Sequence, residues 1–282
     1  MTPDFAADAE RLAAIALAED GSRDVTSEVT GASSARATGR LEFRSGGVLA
    51  GRVYAEAVAK ACDCRIEWAA VDGAQLPPDT VVGDASGPLS RLLRAERPLL
   101  NFLQRASGIA TATRAYVTTV AGTTARILHT RKTAPGLRLL DVAAVLAGGG
   151  ALHRLDLSHT VMVKDNHWRA LAAQGKALKV ALAEARHRGV EGLQVEVESE
   201  AQLRTACEAG ATRLLLDNQS PETVRDWADL ARKLRPGIEI EATGGITLDN
   251  VRAYALAGAD FISVGALTHS VKAADMALEI TA

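Results

Sequence analysis

Cationic side chains occur in three groups in the second half of the sequence. Arg131 and Lys132 stand between two threonines, His153 and Arg154 follow three glycines, and Lys164 ends an apolar run. Arginine binds an oxyanion through two parallel hydrogen bonds and lysine supplies a compact charge, so both suit a carboxylate or a phosphate. Each group alone is also typical of a solvated surface. Together at one site these cations would be costly without a bound anion, so they predict an anionic ligand.

Acidic side chains follow the same pattern. Glu196 and Glu198 alternate with valines, which places both on one face of a strand, and Asp217 ends the apolar run of residues 214–216. Carboxylates beside a cationic site can hold Mg²⁺ through water or balance positive charge that develops on a substrate. Internal salt bridges to the same cations are the alternative interpretation.

Two glycine-containing turns follow further apolar runs. Thr243, Gly244 and Gly245 form one, and Gly265 lies in the other. Backbone N–H groups in such turns, followed by a helix, bind phosphate in many α/β barrels, although either turn alone could be a plain turn. Combined with the cations, they predict a substrate with a phosphate at one end and other anionic groups at the other.

Apolar strands and alanine-rich helices alternate after Leu99 and must position these residues. The predicted strands are Ala125–Thr130, Thr160–Lys164, Leu193–Glu198, Arg213–Asp217, Ile238–Ala242 and Phe261–Val264. The predicted helices between them include Leu178–Arg188, Glu200–Ala209, Pro221–Leu234 and Leu248–Ala257. Near-continuous apolar strands predict a parallel sheet covered by helices. Because the polar residues fall at the carboxyl ends of the strands, an α/β barrel is favoured over a doubly wound sheet, for which no Gly-x-Gly-x-x-Gly turn is present.

The first part of the chain has a different rhythm. Thr2 and Pro3 predict the N-cap and first turn of a helix that ends near Gly21. Short β-like runs follow, at Gly39–Phe43, Val48–Ala50, Ile66–Val71 and Thr80–Gly83. With a single helical stretch at Val53–Ala61, this segment predicts a small α+β sandwich.

The composition is that of an ordinary globular protein. The chain has 282 residues, a formal charge of −2, 48% hydrophobic and 23% charged residues. These values exclude wholesale disorder and a coiled coil and weaken a nucleic-acid-binding role. No apolar run is long enough to cross a membrane, and the N-terminus does not read as a secretory signal. An odd number of cysteines, Cys62, Cys64 and Cys207, predicts structural thiols in a cytoplasmic protein.

A dense, collinear set of motifs from about Asp24 onward resembles one known family, the quinolinate phosphoribosyltransferases, also called carboxylating nicotinate-nucleotide pyrophosphorylases. The motifs are Ala95-Glu96-Arg97-Pro98-Leu99-Leu100-Asn101, Ser107-Gly108-Ile109-Ala110-Thr111, Thr130-Arg131-Lys132-Thr133-x-Pro135-Gly136, His153-Arg154, Val163-Lys164-Asp165-Asn166-His167, Val195-Glu196-Val197-Glu198, Leu215-Leu216-Asp217-Asn218, Gly244-Gly245-Ile246 and Ser263-Val264-Gly265-Ala266-Leu267-Thr268-His269-Ser270.

The resemblance implies a fold, an assembly and a reaction. The fold is an incomplete α/β (TIM-like) barrel over residues 109–269, with an N-terminal α/β sandwich domain over residues 1–108 that residues 270–282 join. The assembly is a homodimer with shared active sites, and a hexamer is left open. The reaction joins quinolinate to phosphoribosyl pyrophosphate with Mg²⁺ and gives nicotinate mononucleotide, pyrophosphate and CO₂.

The resemblance also implies residue roles. Arg97 would reach the neighbouring subunit's site. The dicarboxylate and the pyrophosphate would be held by Arg131, His153, Arg154 and Lys164, and Lys132 would face the phosphoribosyl donor. Glu196 and Asp217 would bind the ribose hydroxyls and contribute to the environment of the Mg²⁺ ion. The 5′-phosphate would be held by Thr243, Gly244, Gly245 and Gly265, with His269 at the same end. The residues predicted to be catalytic are Lys132, Lys164, Glu196 and Asp217.

The sequence departs from the family pattern at a few positions. Many members have Asp where this chain has His129, and a Lys-Tyr pair where it has the segment Asp141-Val142-Ala143-Ala144. A related branch, encoded with molybdate-transport genes, shares a His-Thr-Arg-Lys motif, so a phosphoribosyltransferase acting on another aromatic acid or heterocycle is the main alternative. A non-catalytic protein that binds a phosphorylated metabolite is a third hypothesis.

Overall fold

The computed structural model describes residues 3–32 and 35–281. The first part of the described chain contains α1 (Phe5–Glu19), α2 (Val25–Thr30), β1 (Arg36–Phe43), β2 (Gly47–Val48), α3 (Arg52–Ala61), β3 (Arg65–Trp68), β4 (Gln75–Leu76), β5 (Thr80–Pro88) and α4 (Leu89–Thr119). The remainder contains β6 (Arg126–Leu128), α5 (Arg138–Ala147), β7 (Thr160–Val163), α6 (Asp165–Ala173), α7 (Leu178–His187), β8 (Gly192–Val197), α8 (Glu200–Ala209), β9 (Arg213–Asp217), α9 (Pro221–Leu234), β10 (Glu239–Thr243), α10 (Val251–Leu256), β11 (Phe261–Ser263), α11 (Ala266–His269) and β12 (Met276–Thr281).

The chain forms two compact units. The first, called the sandwich unit here, comprises the described residues up to Arg114, the segment Lys132–Gly150 and the residues from Ala266 onward. The second, called the barrel unit, comprises Ala115–Arg131 and Ala151–Gly265. The predicted division at residues 108 and 109 falls inside the helix α4 and stays a prediction.

The sandwich unit contains an antiparallel sheet with the strand order β12-β1-β5-β3. Alternation along β1 buries Leu41 and Phe43 completely, which is the pattern of a strand with one face on a core. Tyr54 on α3 is equally buried and its hydroxyl donates to Asp8 Oδ2 at 3.1 Å. A mixed α/β layer therefore forms as the sequence predicted.

The barrel unit contains a six-stranded sheet with the order β6-β11-β10-β9-β8-β7, and every ladder in it is parallel. The first strand pairs with the last, which is the topology of a barrel and not of a doubly wound sheet. Between the described strands β6 and β7 there is no ladder, and Ala151 bridges to Leu128 at that edge. The predicted incomplete α/β barrel is confirmed.

Local signals explain why the barrel elements match their predicted bounds so closely. Ser199 and Ser220 cap α8 and α9 through their side chains, and Pro221 occupies the first helical turn. Gly210 ends α8 in the left-handed conformation at φ 87°. The strand β9 between them has an apolar centre at residues 214–216, with Arg213 and Asp217 at its two ends.

The N-terminal helix begins later than the sequence indicated. Thr2 lies outside the described residues, and the structure places the N-cap at Asp4, whose carboxylate accepts from the Ala7 N–H at 3.0 Å. Within residues 3–32 and 35–281, no helix combines the length and apolarity needed to cross a bilayer.

Candidate active site

Lys164 and Glu196 form an ion pair at the carboxyl edge of the barrel sheet. The strands β7 and β8 run parallel with Val163 beside Val195, so the residues that follow lie at the same edge. Lys164 Nζ is 2.5 Å from Glu196 Oε2, and the glutamate side chain is only 8% exposed. Burial of a charged group requires a partner, and this lysine supplies it.

The backbone around this pair is also fixed. The Lys164 N–H donates to His167 Nδ1 at 3.0 Å where α6 begins. Trp168 Nε1 donates to the carbonyl oxygen of Glu196 at 2.9 Å. The first turn of α6 therefore holds both ends of the ion pair, whereas Glu198, predicted to share its face with Glu196, lies exposed beyond the end of β8.

His153 is held through both of its ring nitrogens. Its Nδ1 accepts the Arg154 N–H at 2.6 Å, so the ring proton lies on Nε2, which faces Glu241 Oε2 at 3.3 Å. The His153 N–H in turn donates to Nε2 of the fully buried His129 at 3.0 Å. His129 therefore fixes the backbone that carries His153 and Arg154.

Glu241 is the buried acid behind this arrangement. It is 1% exposed, accepts from Ser263 Oγ at 2.5 Å and pairs with Arg213 Nη1 at 3.1 Å. Burial by itself would raise the pKa of Glu241, but the hydrogen bonds from His153 and Ser263 and the charge of Arg213 hold it below its usual value. The carboxylate is thus kept ionised inside the barrel.

Arg154 lies close enough to Arg131 to be affected by its charge. Burial lowers the pKa of Arg154, and the neighbouring charge of Arg131 lowers it further. The Nε of Arg131 is buried and has no hydrogen-bond partner in the described part of the chain. A buried N–H donor without an acceptor costs free energy, so this guanidinium pair fits an anionic ligand with several oxygens.

Asp217 lies beside the glycine turn that follows β10. The ladder between β9 and β10 places Asp217 opposite Thr243, and Asn218 Nδ2 donates to Asp217 Oδ2 at 2.7 Å. Gly244 has φ 82°, and a Cβ there would lie 2.3 Å from Asn218 Oδ1. Only glycine fits this position, which leaves its backbone accessible beside the carboxylate.

The rest of the turn is fixed by one asparagine. Asn250 Nδ2 donates to the carbonyl oxygen of Gly245 at 2.9 Å, and its Oδ1 accepts the Thr247 N–H at 2.8 Å. Gly265 lies two residues after the end of β11, and the intervening Val264 N–H donates to Leu128 O at 3.2 Å at the same edge of the sheet. Both predicted glycine turns therefore end neighbouring strands.

Three of the predicted site residues belong to the sandwich unit. Arg97 lies on α4, is exposed and approaches Glu96 at 3.9 Å. Lys132 is exposed, and its carbonyl oxygen accepts from Thr268 Oγ1 at 2.8 Å. His269 ends α11 next to that threonine.

Several residues of the barrel site were missed by sequence reasoning. Glu241 could have been found, since Glu239, Glu241 and Thr243 alternate with apolar residues along β10 and so share one face. Trp168 and Ser263 carry no comparable signal, because their roles depend on contacts between strands and helices that are distant in sequence.

No group of three or more potential metal-binding side chains occurs among residues 3–32 and 35–281. The two carboxylates of the site, Glu196 and Asp217, each already contact a neighbouring side chain. Mg²⁺ commonly binds through one or two carboxylates together with water and substrate phosphates. The residues present fit a magnesium ion that arrives with a phosphorylated substrate.

A parallel barrel with cations, carboxylates and glycine turns at one edge belongs to the class of enzymes that act on phosphorylated anionic substrates. Comparison with known proteins specifies the family. The family model for the quinolinate phosphoribosyl transferase N-terminal domain matches residues 24–107, and that for the C-terminal domain matches residues 109–279. The chain belongs to the quinolinate phosphoribosyl transferase family.

Individual relatives agree with this assignment. The chain is 44% identical over 211 residues to a probable nicotinate-nucleotide pyrophosphorylase [carboxylating] of Bacillus subtilis, covering 74% of this chain and 71% of the relative. It is 40% identical over 258 residues to the human nicotinate-nucleotide pyrophosphorylase [carboxylating], covering 90% and 85%. The solved structure of the Francisella tularensis nicotinate-nucleotide pyrophosphorylase superposes with a TM-score of 0.91 at 32% identity, covering 100% of this chain and 98% of the other.

Proposed function

We propose that this protein is a quinolinate phosphoribosyltransferase, which joins quinolinate to phosphoribosyl pyrophosphate and releases pyrophosphate and CO₂ in NAD biosynthesis. The observation that carries the proposal is the half-buried pair of Arg131 and Arg154. The buried Nε of Arg131 has no hydrogen-bond partner among the described residues, and the pair calls for an anion with several oxygens. Quinolinate carries two adjacent carboxylates, which match two guanidinium groups. The relatives with 40–44% identity carry the name of this activity.

The first step is binding and orientation of the acceptor. Arg131 and Arg154 bind the two carboxylates of quinolinate, which turns the ring nitrogen toward the anomeric carbon of the donor. The His153 ring accepts the backbone N–H of Arg154 and contacts Glu241 through its other nitrogen, so it positions Arg154. Holding both reactants in the reactive geometry supplies a large part of the rate enhancement.

The second step is departure of pyrophosphate. As the bond to the leaving group breaks, positive charge develops on the ribose, and the ring nitrogen of quinolinate attacks the anomeric carbon. The carboxylates of Glu196 and Asp217 stabilise that charge and accept hydrogen bonds from the ribose hydroxyls. Lys164 pairs with Glu196 and faces the pyrophosphate, and Lys132 contacts the donor.

The last step is loss of CO₂. The new bond makes the ring nitrogen cationic, and that charge stabilises the carbanion left when the adjacent carboxylate departs as CO₂; a solvent proton then fills the position. The protein has only to orient the departing carboxylate, so no nucleophilic side chain is required.

The glycine turns hold the 5′-phosphate in this proposal. Thr243, Gly244, Gly245 and Gly265 present backbone N–H groups and one hydroxyl to it, and His269 lies at the same end. Glu196 and Asp217 would hold Mg²⁺ through water, and the bound ion would supply positive charge against the pyrophosphate.

The proposal includes a homodimer in the cytoplasm. Arg97 is exposed on α4 without a close ion pair, as expected of a residue that completes the partner's site. Cys62, Cys64 and Cys207 are buried and free, which suits a reducing compartment.

The positions that raised the possibility of another acceptor have structural roles. His129 is fully buried and accepts the His153 N–H, and Val142, which stands with Ala143 in place of the Lys-Tyr pair, is also fully buried. Since neither side chain points to a changed acceptor, quinolinate is retained.

The test is to mix the purified protein with phosphoribosyl pyrophosphate, Mg²⁺ and quinolinate, and to measure pyrophosphate and CO₂ release, with nicotinate as a parallel acceptor. Both products should appear with quinolinate alone. Arg154→Ala should raise KM for quinolinate roughly 10- to 100-fold, because charge-assisted hydrogen bonds are lost. The matched control is Arg169→Ala, an exposed arginine of α6 that contacts Asp165 and Asn166. Turnover with nicotinate but not quinolinate would refute the proposal.

A further inference from the structure

A buried ion pair joins two helices of the sandwich unit. Arg105 on α4 and Asp141 on α5 form two parallel hydrogen bonds, from Nε to Oδ1 at 2.7 Å and from Nη2 to Oδ2 at 2.8 Å. Asp141 is completely buried, and the Arg105 side chain is 22% exposed. This fork-to-fork geometry fixes the relative position of the two groups more tightly than a single contact does.

The same two groups also hold the backbone of two other segments. Asp141 Oδ2 accepts the Ala134 N–H at 3.3 Å, two residues after Lys132. Arg105 Nη2 donates to the carbonyl oxygen of Thr268 at 3.1 Å, one residue before His269.

A third contact closes the arrangement. Thr268, which is 1% exposed, donates from its hydroxyl to the carbonyl oxygen of Lys132 at 2.8 Å. The loop that carries Lys132 and the short helix that carries His269 are therefore attached both to each other and to the Arg105–Asp141 pair.

A role limited to stability would be a poor explanation for this pair. Desolvation of two charges offsets most of their attraction, so buried ion pairs add little net stability. What they do provide is a fixed geometry. Here that geometry is transmitted to the backbone of two exposed residues, Lys132 and His269, which are themselves proposed to bind substrate.

We propose that Arg105 and Asp141 are positioning residues that set Lys132 and His269 for the phosphoribosyl donor. The inference rests on the proposed function, since that function gives Lys132 and His269 their ligand. It assigns a role to Asp141, the first residue of the segment in which the sequence departs from many family members.

The first test is steady-state kinetics of Asp141→Asn. Asparagine has the same shape and can still accept the Ala134 N–H, but it removes the charge that orients Arg105. The KM for phosphoribosyl pyrophosphate should rise about tenfold or more, while the KM for quinolinate stays within about twofold, because small displacements at a reactive site are costly. Arg105→Lys, which keeps the charge but loses the fork, should show the same selective change to a smaller extent.

The barrel unit offers a matched control. Arg232 and Asp260 form an ion pair in which Asp260 Oδ2 also accepts a backbone N–H, that of Ile240, at 2.8 Å. This pair lies near the amino ends of β10 and β11, away from the site edge. Asp260→Asn should lower the melting temperature as Asp141→Asn does and leave both KM values unchanged.

The outcomes separate the possible explanations. Equal changes in both KM values, or kinetics for Asp141→Asn that match those of Asp260→Asn, would overturn the positioning role.

Binding of phosphoribosyl pyrophosphate alone, measured by calorimetry, distinguishes this inference from the proposed function. A wild type that binds the donor but does not use quinolinate refutes the function, and weaker donor binding by Asp141→Asn would still support the pair's role. The inference is overturned if wild type and Asp141→Asn bind phosphoribosyl pyrophosphate with equal affinity, or if the wild type does not bind it.

Discussion

The imidazole of His153 points its Nε2 at the carboxylate of Glu241, 3.3 Å away, while its Nδ1 accepts the N–H of the next residue in the chain. Glu241 thereby fixes the imidazole ring, and the ring fixes the backbone from which the Arg154 side chain extends. Glu241 achieves this because Arg213 and Ser263 satisfy its remaining oxygen positions. The orientation of an arginine at the site edge therefore depends on an acid in the barrel interior.

The pH dependence of stability should report on Glu241. The pKa of Glu241 is lower in the folded protein than in the unfolded chain. Its contribution to the free energy of unfolding is therefore complete above the ordinary glutamate pKa, and it is lost as the pH falls through the pKa of the folded state. Glu241→Gln should reduce the free energy of unfolding by about 3 kcal/mol at neutral pH, as expected for breaking a buried ion pair. The difference from wild type should be constant above about pH 5 and shrink below about pH 4.

Urea unfolding at a series of pH values would measure this difference. Glu198→Gln is the control, because that side chain is exposed and the substitution should leave the curve unchanged. A gap between Glu241→Gln and wild type that does not narrow in acid would contradict the assigned ionisation of Glu241.

Removal of the Glu196 charge should slow the chemical step. Glu196→Gln keeps the shape but removes the negative charge paired with Lys164, and kcat should fall about 100-fold, the usual effect of losing one transition-state contact. Glu239→Gln serves as the control, since Glu239 pairs with Arg213 at the opposite end of its strand. A drop in kcat of similar size for both variants would argue against a specific role for Glu196.

Gly244 should tolerate substitution less well than a glycine of the same backbone conformation elsewhere. Gly237 also has φ 82°, but a Cβ there would meet no atom within 4 Å. Gly237→Ala should therefore cost about 1 kcal/mol of stability from the left-handed backbone alone. Gly244→Ala adds a clash with Asn218 and should also raise the KM for phosphoribosyl pyrophosphate about tenfold, if the turn holds its phosphate. Equal KM values for the two alanine variants would show that the turn at Gly244 does not bind the phosphate of the donor.

A shared site in the proposed homodimer predicts complementation. Arg97→Ala and Lys164→Ala should each be inactive alone. In an equal mixture with free subunit exchange, half of the dimers are mixed and each regains one intact site, so about a quarter of wild-type activity should return. Subunit exchange would be verified by mass spectrometry of differently tagged chains. Exchange without any recovery would place Arg97 and Lys164 in the same subunit's site or outside it.

Removal of metal ions by a chelator should abolish activity without lowering the thermal stability of the fold. EDTA should abolish pyrophosphate release, and added Mg²⁺ should restore it, since the proposed ion binds with the substrate. The melting temperature without substrate should stay unchanged, because the described residues offer no cluster of three metal-binding side chains. A large loss of thermal stability in EDTA would instead indicate a resident structural metal.

The barrel could be predicted well because its signals are local. The strand β9 and the helices α8 and α9 have the bounds that the sequence predicted, since serine caps, a proline and a glycine mark their ends. Lys164, Asp217 and Thr243 lie at the carboxyl ends of their strands as predicted, because parallel strands collect these ends at one edge of a sheet.

Elements without local signals were missed. The helix α4 continues through Pro98, a residue that usually marks a boundary, because packing along its length outweighs one lost hydrogen bond. His129 and the segment that begins with Asp141 were read as departures from a family pattern, and the burial of these two side chains was not predicted. Their burial depends on Arg105 and His153, contacts that no spacing along the chain reveals.

The strand β1 has β12 on one side and β5 on the other, and β12 is the last strand among the described residues. During synthesis on the ribosome, β1 emerges early and its second partner emerges only after the whole barrel. Through that interval β1 is an unprotected edge whose backbone N–H and C=O groups can pair with another nascent chain. The sandwich unit therefore cannot complete its sheet until every strand of the barrel unit has been synthesised.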